Sequence, residues 1–349
     1  MLLKNKIPLS IIKLINFEYW SWKWFYLPLV PYCVFPAWRA RSLTFFTNIN
    51  ASFTNDYQGL FGEDKIQILN QITKEYRPYT LIVCPKNDFF ENELEKTFFE
   101  QKISYPVICK PNKGERGTNV EKVNNSTDLK KYFTNQHGAT STILIQEFID
   151  YEVELGVFYI KMPNEQTGKV TSVTRKDFLK VTGDGKSTIL ELMQKSTRAR
   201  FQIESIKAKM GIKINNVLAI NETLTLEPIG NHCRGTAFLD NNFLINQQLN
   251  QVFDKIASTV RGFHYGRFDL KVKSIDDLYE GKNIKILELN GVWSEPAHIY
   301  DPNFKLWKAY KDLFWHWNTM SKISLLQSQK GIKTIPTKVL LKKVKKYFV

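Results

Sequence analysis

The chain has 349 residues, 43% of them apolar, and 49 Lys and Arg against 34 Asp and Glu, for a formal charge of +15. That much apolar content at this length supports a sizeable core, excludes wholesale disorder and leaves room for more than one domain. Four cysteines (Cys33, Cys84, Cys109, Cys233) stand far apart without Cys-x-x-Cys spacing, which excludes a disulfide scaffold or a cysteine-rich zinc module and suits a reduced, intracellular setting.

Residues 1–41 carry a net +5, with Glu18 their only acid. Ten aromatics follow one another between Phe17 and Trp38, and the run from Trp24 to Trp38 is uncharged. At 15 residues, interrupted by Pro28, Pro31 and Pro36, that run is too short and too broken to span a bilayer. No small-residue cleavage site follows it, so a signal peptide fits poorly. Trp and Tyr do favour the headgroup region of a membrane, where ring and polar edge are both satisfied.

The composition then changes. Arg41–Thr47, rich in β-formers, predicts a short strand, 48–62 a loop, 63–72 a helix, 80–84 a strand and 89–101 a second helix. Strands are expected over 107–110 and 120–123 around a glycine-bearing loop, a helix over 128–134, and strands over 142–148 and 155–160. Further strand-like runs at 170–173 and 178–181 lead to the tight turn Gly183-Asp184-Gly185. Residues 188–213 read as largely helical, 223–226 and 236–239 as strands around a loop, and 247–262 as a helix. The strands 268–272 and 284–289 close the series, joined by a polar connection of hairpin character. No internal repeat is visible, and strands alternating with helices predict a mixed α+β fold.

Residues 330–349 carry +7 without an acid, so the two ends hold most of the charge and the middle only +3. A nucleic-acid reader spreads basic charge over a folded face, so no nucleic-acid partner is expected. On a helical wheel Leu340, Leu341, Val344 and Phe348 share one arc, and Lys338, Lys342, Lys343, Lys345 and Lys346 the other. Such a helix, with the Arg-flanked aromatic segment, suits docking on an anionic membrane surface, each basic residue contributing roughly 1 kcal/mol. The alternative is an aromatic stretch packed on the main domain and a solvated terminal helix.

Phosphate chemistry needs cations, a pliant loop and oxygen ligands for a metal. Gly185-Lys186-Ser187 resembles the end of a P-loop, but Lys180 stands where the motif requires glycine, so it is set aside. Lys110 ends a strand just before Lys113-Gly114-Glu115-Arg116-Gly117-Thr118, where glycines let backbone N–H groups approach phosphate oxygens. Far downstream, Arg267-Phe268-Asp269 and Leu287-Glu288-Leu289-Asn290 lie on predicted strands. Paired antiparallel, these would bring Asp269, Glu288 and Asn290 onto one face as an all-oxygen set suited to Mg²⁺.

These pieces, in this order, resemble the ATP-grasp superfamily from about Gly62 to Asp301. The resemblance implies two α+β subdomains clasping ATP, with Lys65 and Lys110 as phosphate-binding lysines and Lys113, Gly114, Gly117 and Thr118 in the mobile loop. It further implies Glu147, Phe148 and Ile149 at the adenine, Glu154 on the ribose, and Asp269, Glu288 and Asn290 on Mg²⁺ (or Mn²⁺). Arg267 would contact the reacting phosphoryl group, and Arg234, in Gly230–Thr236, the acyl-phosphate. Within the superfamily the chain is most similar to carboxylate–amine ligases such as D-alanine–D-alanine ligase and the ATP-grasp part of cyanophycin synthetase. Their activity forms a C–N bond between a small carboxylate and an amine, releasing ADP.

Two departures bear on substrate. Only about 60 residues precede Lys65, in place of a full pre-ATP-grasp domain, and Gly291–His298 replaces the family's proline–glycine turn, so Trp293 and Glu295 would reshape the acceptor pocket. D-alanine is therefore not expected, and His298 reads as a hydrogen-bonded structural histidine. The expected organisation is an N-terminal segment (1–60), an ATP-grasp domain (61–325, its nucleotide-clasping part roughly 106–155) and a basic tail (326–349). The leading function is an ATP-dependent ligase in the cytoplasm, at the inner membrane face, on a lipid-linked or envelope precursor. An ATP-grasp kinase with a non-carboxylate acceptor and a membrane-peripheral ATP-binding protein are the alternatives.

Overall fold

The strands of this chain sort their residues by parity. In Tyr265–Val272, Phe268, Leu270 and Val272 are buried in the core, while Arg267, Asp269 and Lys271 take the opposite face. The same rule puts Val153, Leu155, Val157 and Tyr159 of Val153–Ile160 in that core and leaves Glu154 and Gly156 on the other side. In a computed structural model, described for residues 7–50, 64–84, 94, 96–98, 100–101, 103–114, 117–135 and 142–348, these strands join two main sheets.

The first sheet holds β1 (Thr80–Val83), β2 (Val107–Pro111), β3 (Glu121–Val123) and β4 (Ile143–Glu147) in the order β1-β4-β2-β3, all antiparallel. The second holds β5 (Val153–Ile160), β6 (Lys169–Asp177), β9 (Ala237–Asp240), β10 (Tyr265–Val272) and β11 (Ile284–Asn290) in the order β11-β10-β5-β6-β9, also antiparallel. A two-stranded ribbon, β7 (Lys180–Thr182) with β8 (Thr223–Thr225), completes a small lobe with its own apolar cluster around Met193 and Ile206. The mixed α+β class expected of the chain is the one observed.

Short helices α1 (Leu9–Ile15), α2 (Trp22–Tyr26) and α3 (Val34–Ala40) form the N-terminal segment, and α4 (Lys65–Leu69) precedes the first sheet. α5 (Ser126–Asn135) backs that sheet; α6 (Ile189–Lys195), α7 (Thr197–Arg200) and α8 (Ile203–Met210) build the small lobe. α9 (Gln247–Ser258) and α10 (Ile275–Glu280) cover the core face of the second sheet, and α11 (Leu306–Gln329) and α12 (Thr337–Phe348) end the chain.

One expectation is corrected. Arg41–Thr47 is not a strand: Phe45–Thr47 is a 3₁₀ turn, with the Thr47 hydroxyl donating to Thr44 O (2.7 Å) and the Thr44 hydroxyl to Ile335 O (2.6 Å). These side chains take the bonds a neighbouring strand would supply. The largely helical reading of 188–213 holds as α6, α7 and α8, with Ser196 capping α7 by accepting from the Ala199 N–H. β10 and β11 pair antiparallel as consecutive strands, the hairpin connection expected, and that connection carries helix α10, capped by Ser274. α11 has no counterpart among the expected elements. The loop expected over 48–62 and the helix over 89–101 lie largely outside the described residues.

The N-terminal segment is stitched to the rest by buried asparagines. Asn48 Nδ2 donates to Ser324 O (3.1 Å) and Ile332 O (2.9 Å), and Asn50 bonds the backbone of both His264 and Tyr265. Phe25 and Leu29 are buried against Leu313 and Ile299, each such side chain contributing about 1.5–3 kcal/mol.

Candidate active site

α4 begins where Asp64 caps it by accepting from the Gln67 N–H (3.0 Å). Asn112, just past β2, donates to the same carboxylate and accepts from the Ile66 N–H, so the start of α4 is fastened to the end of β2. This sets Lys65 beside the second sheet: its Nζ lies 3.0 Å from Glu288 Oε1 and donates to Gly114 O (2.7 Å). Lys110, buried on β2, donates to Gln146 Oε1 (3.0 Å) and to Leu287 O (3.1 Å). Burial pushes its pKa down to about 8, against the pull of Glu288.

A bulge shapes β11. Asp269 pairs with Glu288, yet Leu270 pairs with Ile286, so Leu287 is an extra residue outside the register, and its carbonyl is the one Lys110 uses. Asp269 and Glu288 thus stand directly opposite each other, with Arg267 opposite Asn290. The Arg267 guanidinium holds Asp269 through two bonds (2.8 and 3.1 Å) and donates to Glu295 O (3.1 Å). Asn290 Nδ2 donates to Asp269 Oδ2 (3.2 Å). Burial favours the protonated form of Glu288, but Lys65 and Lys110 outweigh it and hold the carboxyl down at about 2. Gly156 stands under this cluster for want of space: a Cβ there would lie 3.2 Å from both Arg267 Cδ and Asp269 Oδ1.

Of the expected residues, Lys65, Lys110, Gly114, Gly117, Thr118, Glu147, Phe148, Ile149, Glu154, Arg267, Asp269, Glu288 and Asn290 all line one cavity of about 2500 Å³. Lys113 does not; it is exposed on the surface. Arg234 does not line the cavity either: it donates to Gly117 O (2.7 Å) and Val120 O (3.2 Å), anchoring the glycine loop from behind. Glu115 and Arg116 of that loop lie outside the described residues. Glu147 accepts from the Tyr79 N–H (3.1 Å), and the Phe148 ring lies 3.8 Å from Lys122 Nζ and 5.2 Å from Lys271 Nζ. Lys271 also donates to Ile149 O (3.0 Å).

The sequence reading misses Lys176 and undervalues Glu295. Lys176 Nζ lies 3.0 Å from Glu154 Oε1 and 3.8 Å from Asp269 Oδ2, bridging two of the expected acids. Burial alone would discharge it, but Asp269 and Glu154 hold its pKa above the ordinary value. The available signal is a period-two polar row, Ser172, Thr174 and Lys176, on a strand whose first two members of that row are fully buried. Glu295 lines the cavity and accepts from the Tyr300 hydroxyl (2.6 Å); burial raises its carboxyl to about 7. His298 is buried between Ser172 Oγ (2.8 Å) and Asp312 Oδ2 (3.0 Å), with neither ring nitrogen free. The Gly183-Asp184-Gly185 turn serves its own lobe, Asp184 accepting from the N–H groups of Lys186 and Ser187.

Among the described residues no three His, Cys, Asp or Glu side chains gather to hold a metal ion. The expected set, two opposed carboxylates and an amide, is smaller. It fits Mg²⁺, which takes one or two carboxylates and completes its shell with water and phosphate oxygens.

No family model matches the chain, and no curated protein matches it. Solved structures do resemble it. A bifunctional glutathione synthetase from Pasteurella multocida is 16% identical at a TM-score of 0.39, over 77% of this chain and 38% of that one. The VanG D-Ala:D-Ser ligase from Enterococcus faecalis is 12% identical at 0.42, over 76% and 61%, so the chain spans less than two thirds of either protein. D-cycloserine synthetase DcsG is 8% identical at 0.39, over 73% of each. The names are those of ATP-grasp ligases, the group the sequence motifs resemble, and likenesses this remote carry no further argument.

Proposed function

We propose that the chain is an ATP-dependent carboxylate–amine ligase working through an acyl-phosphate at an anionic membrane surface. The observation behind the ligase reading is the meeting, in one cavity, of Lys65 from α4 and Lys110 from the first sheet with the opposed carboxylates Asp269 and Glu288 of the second. Lys65 and Lys110 supply the positive charge a triphosphate needs, and the glycine loop, held at Gly114 O by Lys65 and at Gly117 O by Arg234, covers it. Phe148, Ile149 and Glu147 flank the place for adenine, with Glu154 for the ribose. Asp269, Glu288 and Asn290 would hold Mg²⁺ or Mn²⁺, which when bound supplies Lewis-acid screening of the phosphate oxygens.

In the first step a substrate carboxylate oxygen attacks the γ-phosphorus and ADP leaves. In the second an amine nitrogen attacks the acyl carbon, inorganic phosphate leaves, and the amine gives up a proton. Arg267 faces the cavity with a charge already fixed by Asp269, so it meets developing phosphoryl charge without reorganising. Glu295, with its carboxyl near neutrality, is the cavity side chain suited to take the amine proton.

The membrane part of the proposal is supported by where apolar surface is left uncovered. Half of the exposed large apolar side chains among the described residues lie between Ile11 and Leu43, among them Trp24 (69% exposed), Phe35 (66%) and Trp38 (75%). Lys13, Lys23, Arg39 and Arg41 are exposed in the same segment, a pairing that complements an anionic bilayer. No described helix is long and apolar enough to cross a membrane.

The test is release of ADP and phosphate by purified protein with Mg²⁺, as pools of amino acids, carboxylic acids and amines are supplied in turn, with and without anionic vesicles. Release that depends on one acid–amine pair is the expected result. ATP binding without turnover in any pool, vesicles included, would leave an ATP-binding protein, and absence of ATP binding would overturn the reading entirely.

A further inference from the structure

The cavity is far larger than its expected occupants require. Small-molecule sites run to roughly 300–1,000 Å³, whereas this one measures about 2500 Å³. ATP, a small acid and an amine would leave much of it empty. The surplus is apolar: Phe46, Val292, Trp317, Met320, Leu340 and Val344 line it, drawn from the N-terminal segment, the loop after β11, α11 and α12. Water left against such walls would be costly, and these residues come from stretches of chain that lie outside the motifs of the phosphate site. Arg39 and Arg41 stand in the same lining, the only charged side chains the N-terminal helices and their caps add besides Glu18. Glu18 is itself neutralised by Arg198 at 2.5 Å, so the net charge offered there is positive.

We infer that the carboxylate substrate is an anionic amphiphile bearing a long hydrocarbon chain, whose tail lies between the N-terminal segment, α11 and α12 while its carboxylate reaches Arg267. The inference rests on the ligase reading above and names its substrate class. The loop Gly291–Pro296 joins the two regions: Asn290 stands opposite Arg267, whose Nη1 bonds Glu295 O, and Trp293 packs on Phe46 at 5.8 Å between ring centroids. Charged and apolar linings therefore belong to one continuous space. Arg39 and Arg41 meet a second anionic group on the same molecule. The apolar rim at Trp22, Val34 and Trp38 lines the cavity and is also exposed, so a chain leaving a bilayer stays against apolar surface throughout.

The experiment titrates the full chain with cis-parinaric acid, a fluorescent long-chain carboxylate, below its micellar concentration, with palmitate and butyrate as competitors. Saturable binding of one probe per chain, displaced by palmitate and not by butyrate, is expected. Met320→Trp and Val344→Trp, which fill the apolar part, should each weaken binding at least tenfold. Trp24→Ser, on exposed surface outside the cavity, should leave it unchanged. Val344 is half-buried on the terminal helix, so its variant decides the matter if Met320→Trp does not fold. Non-saturable binding, equal displacement by butyrate, or indifference to Val344→Trp would overturn the inference. Mg·ATP-dependent thermal stabilisation, read on the same samples, separates the two proposals. Nucleotide binding without probe binding defeats the amphiphile alone, and probe binding without nucleotide binding defeats the ligase.

Discussion

The two linings of the cavity are built on opposite principles. Around Asp269 and Glu288 the charges are buried or half-buried, Lys65, Lys176 and Arg267 each meet an opposite one, and the strand side chains issue from paired strands whose register dictates their direction. Around Trp38 the exposed side chains are apolar except for Arg39 and Arg41, and helices of seven residues or fewer and their caps carry them. The first region finds its partners within the chain, while the second leaves apolar surface uncovered. Charges that must act on a reacting phosphate need preorganisation, and a sheet supplies it. A surface docked on a bilayer, as proposed above, would gain more from area than from register.

The largest effect that separates them is on turnover. Asp269→Asn and Glu288→Gln should each lower kcat by about 10²–10³-fold while the variants still unfold cooperatively in a melting curve. Near-normal activity in either would show that the opposed carboxylates are a structural pair. A smaller effect is expected at the other lining. Trp24→Ser combined with Phe35→Ser should weaken binding to phosphatidylglycerol-containing vesicles about tenfold in a sedimentation assay, with ATP turnover in their absence unchanged. Equal partitioning of variant and parent would mean that these rings serve no membrane.

The smallest effect tests the junction between the two regions. Burial raises the Glu295 carboxyl from its ordinary value of 4.5 to about 7, so the folded chain keeps a proton that the unfolded chain has lost. Stability contributed by this group is therefore lost as pH rises from 4.5 through 7. Glu295→Gln, which has no proton to lose, should gain about 1–2 kcal/mol on the parent between pH 4.5 and pH 8, after allowance for its partial exposure. Urea unfolding at the two pH values checks this, and a constant difference would show that Glu295 is solvated in the native state.

What the sequence makes legible follows the same division. Strands announce themselves by alternation, so local pattern sets Glu288 and Asn290 on one face of their strand, Asp269 apart from the apolar members of its own, and Lys110 at the end of β2. Lys176 escapes because its partners Glu154 and Asp269 lie on two other strands, and pairing order is not written in local pattern. α11 escapes for another reason. Its buried residues include the polar His316, Thr319, Ser321, Ser324 and Gln327, of which His316 bonds the Tyr265 hydroxyl (3.0 Å) and Gln327 Nε2 donates to Ile49 O (3.1 Å), so no apolar stripe marks the helix. The C-terminal helix is legible from its wheel, but not that Leu340 and Val344 line the cavity while Leu341 stays 61% exposed. The apolar arc is shared between two surroundings.

The extra residue at Leu287 has a wider consequence. Ile286 and Leu289 are both buried in the core although they stand three positions apart, an odd interval that strict alternation cannot serve. The bulge acts as a phase shifter. It absorbs one count, so that the segment before it and the segment after it both keep their apolar members inward and Glu288 and Asn290 remain outward. Substitutions in this strand exchange one chemistry for another at a fixed address, whereas adding a single residue beyond the bulge would readdress every side chain up to the loop. Length, at this point of the chain, is as much a part of the site as the carboxylates are.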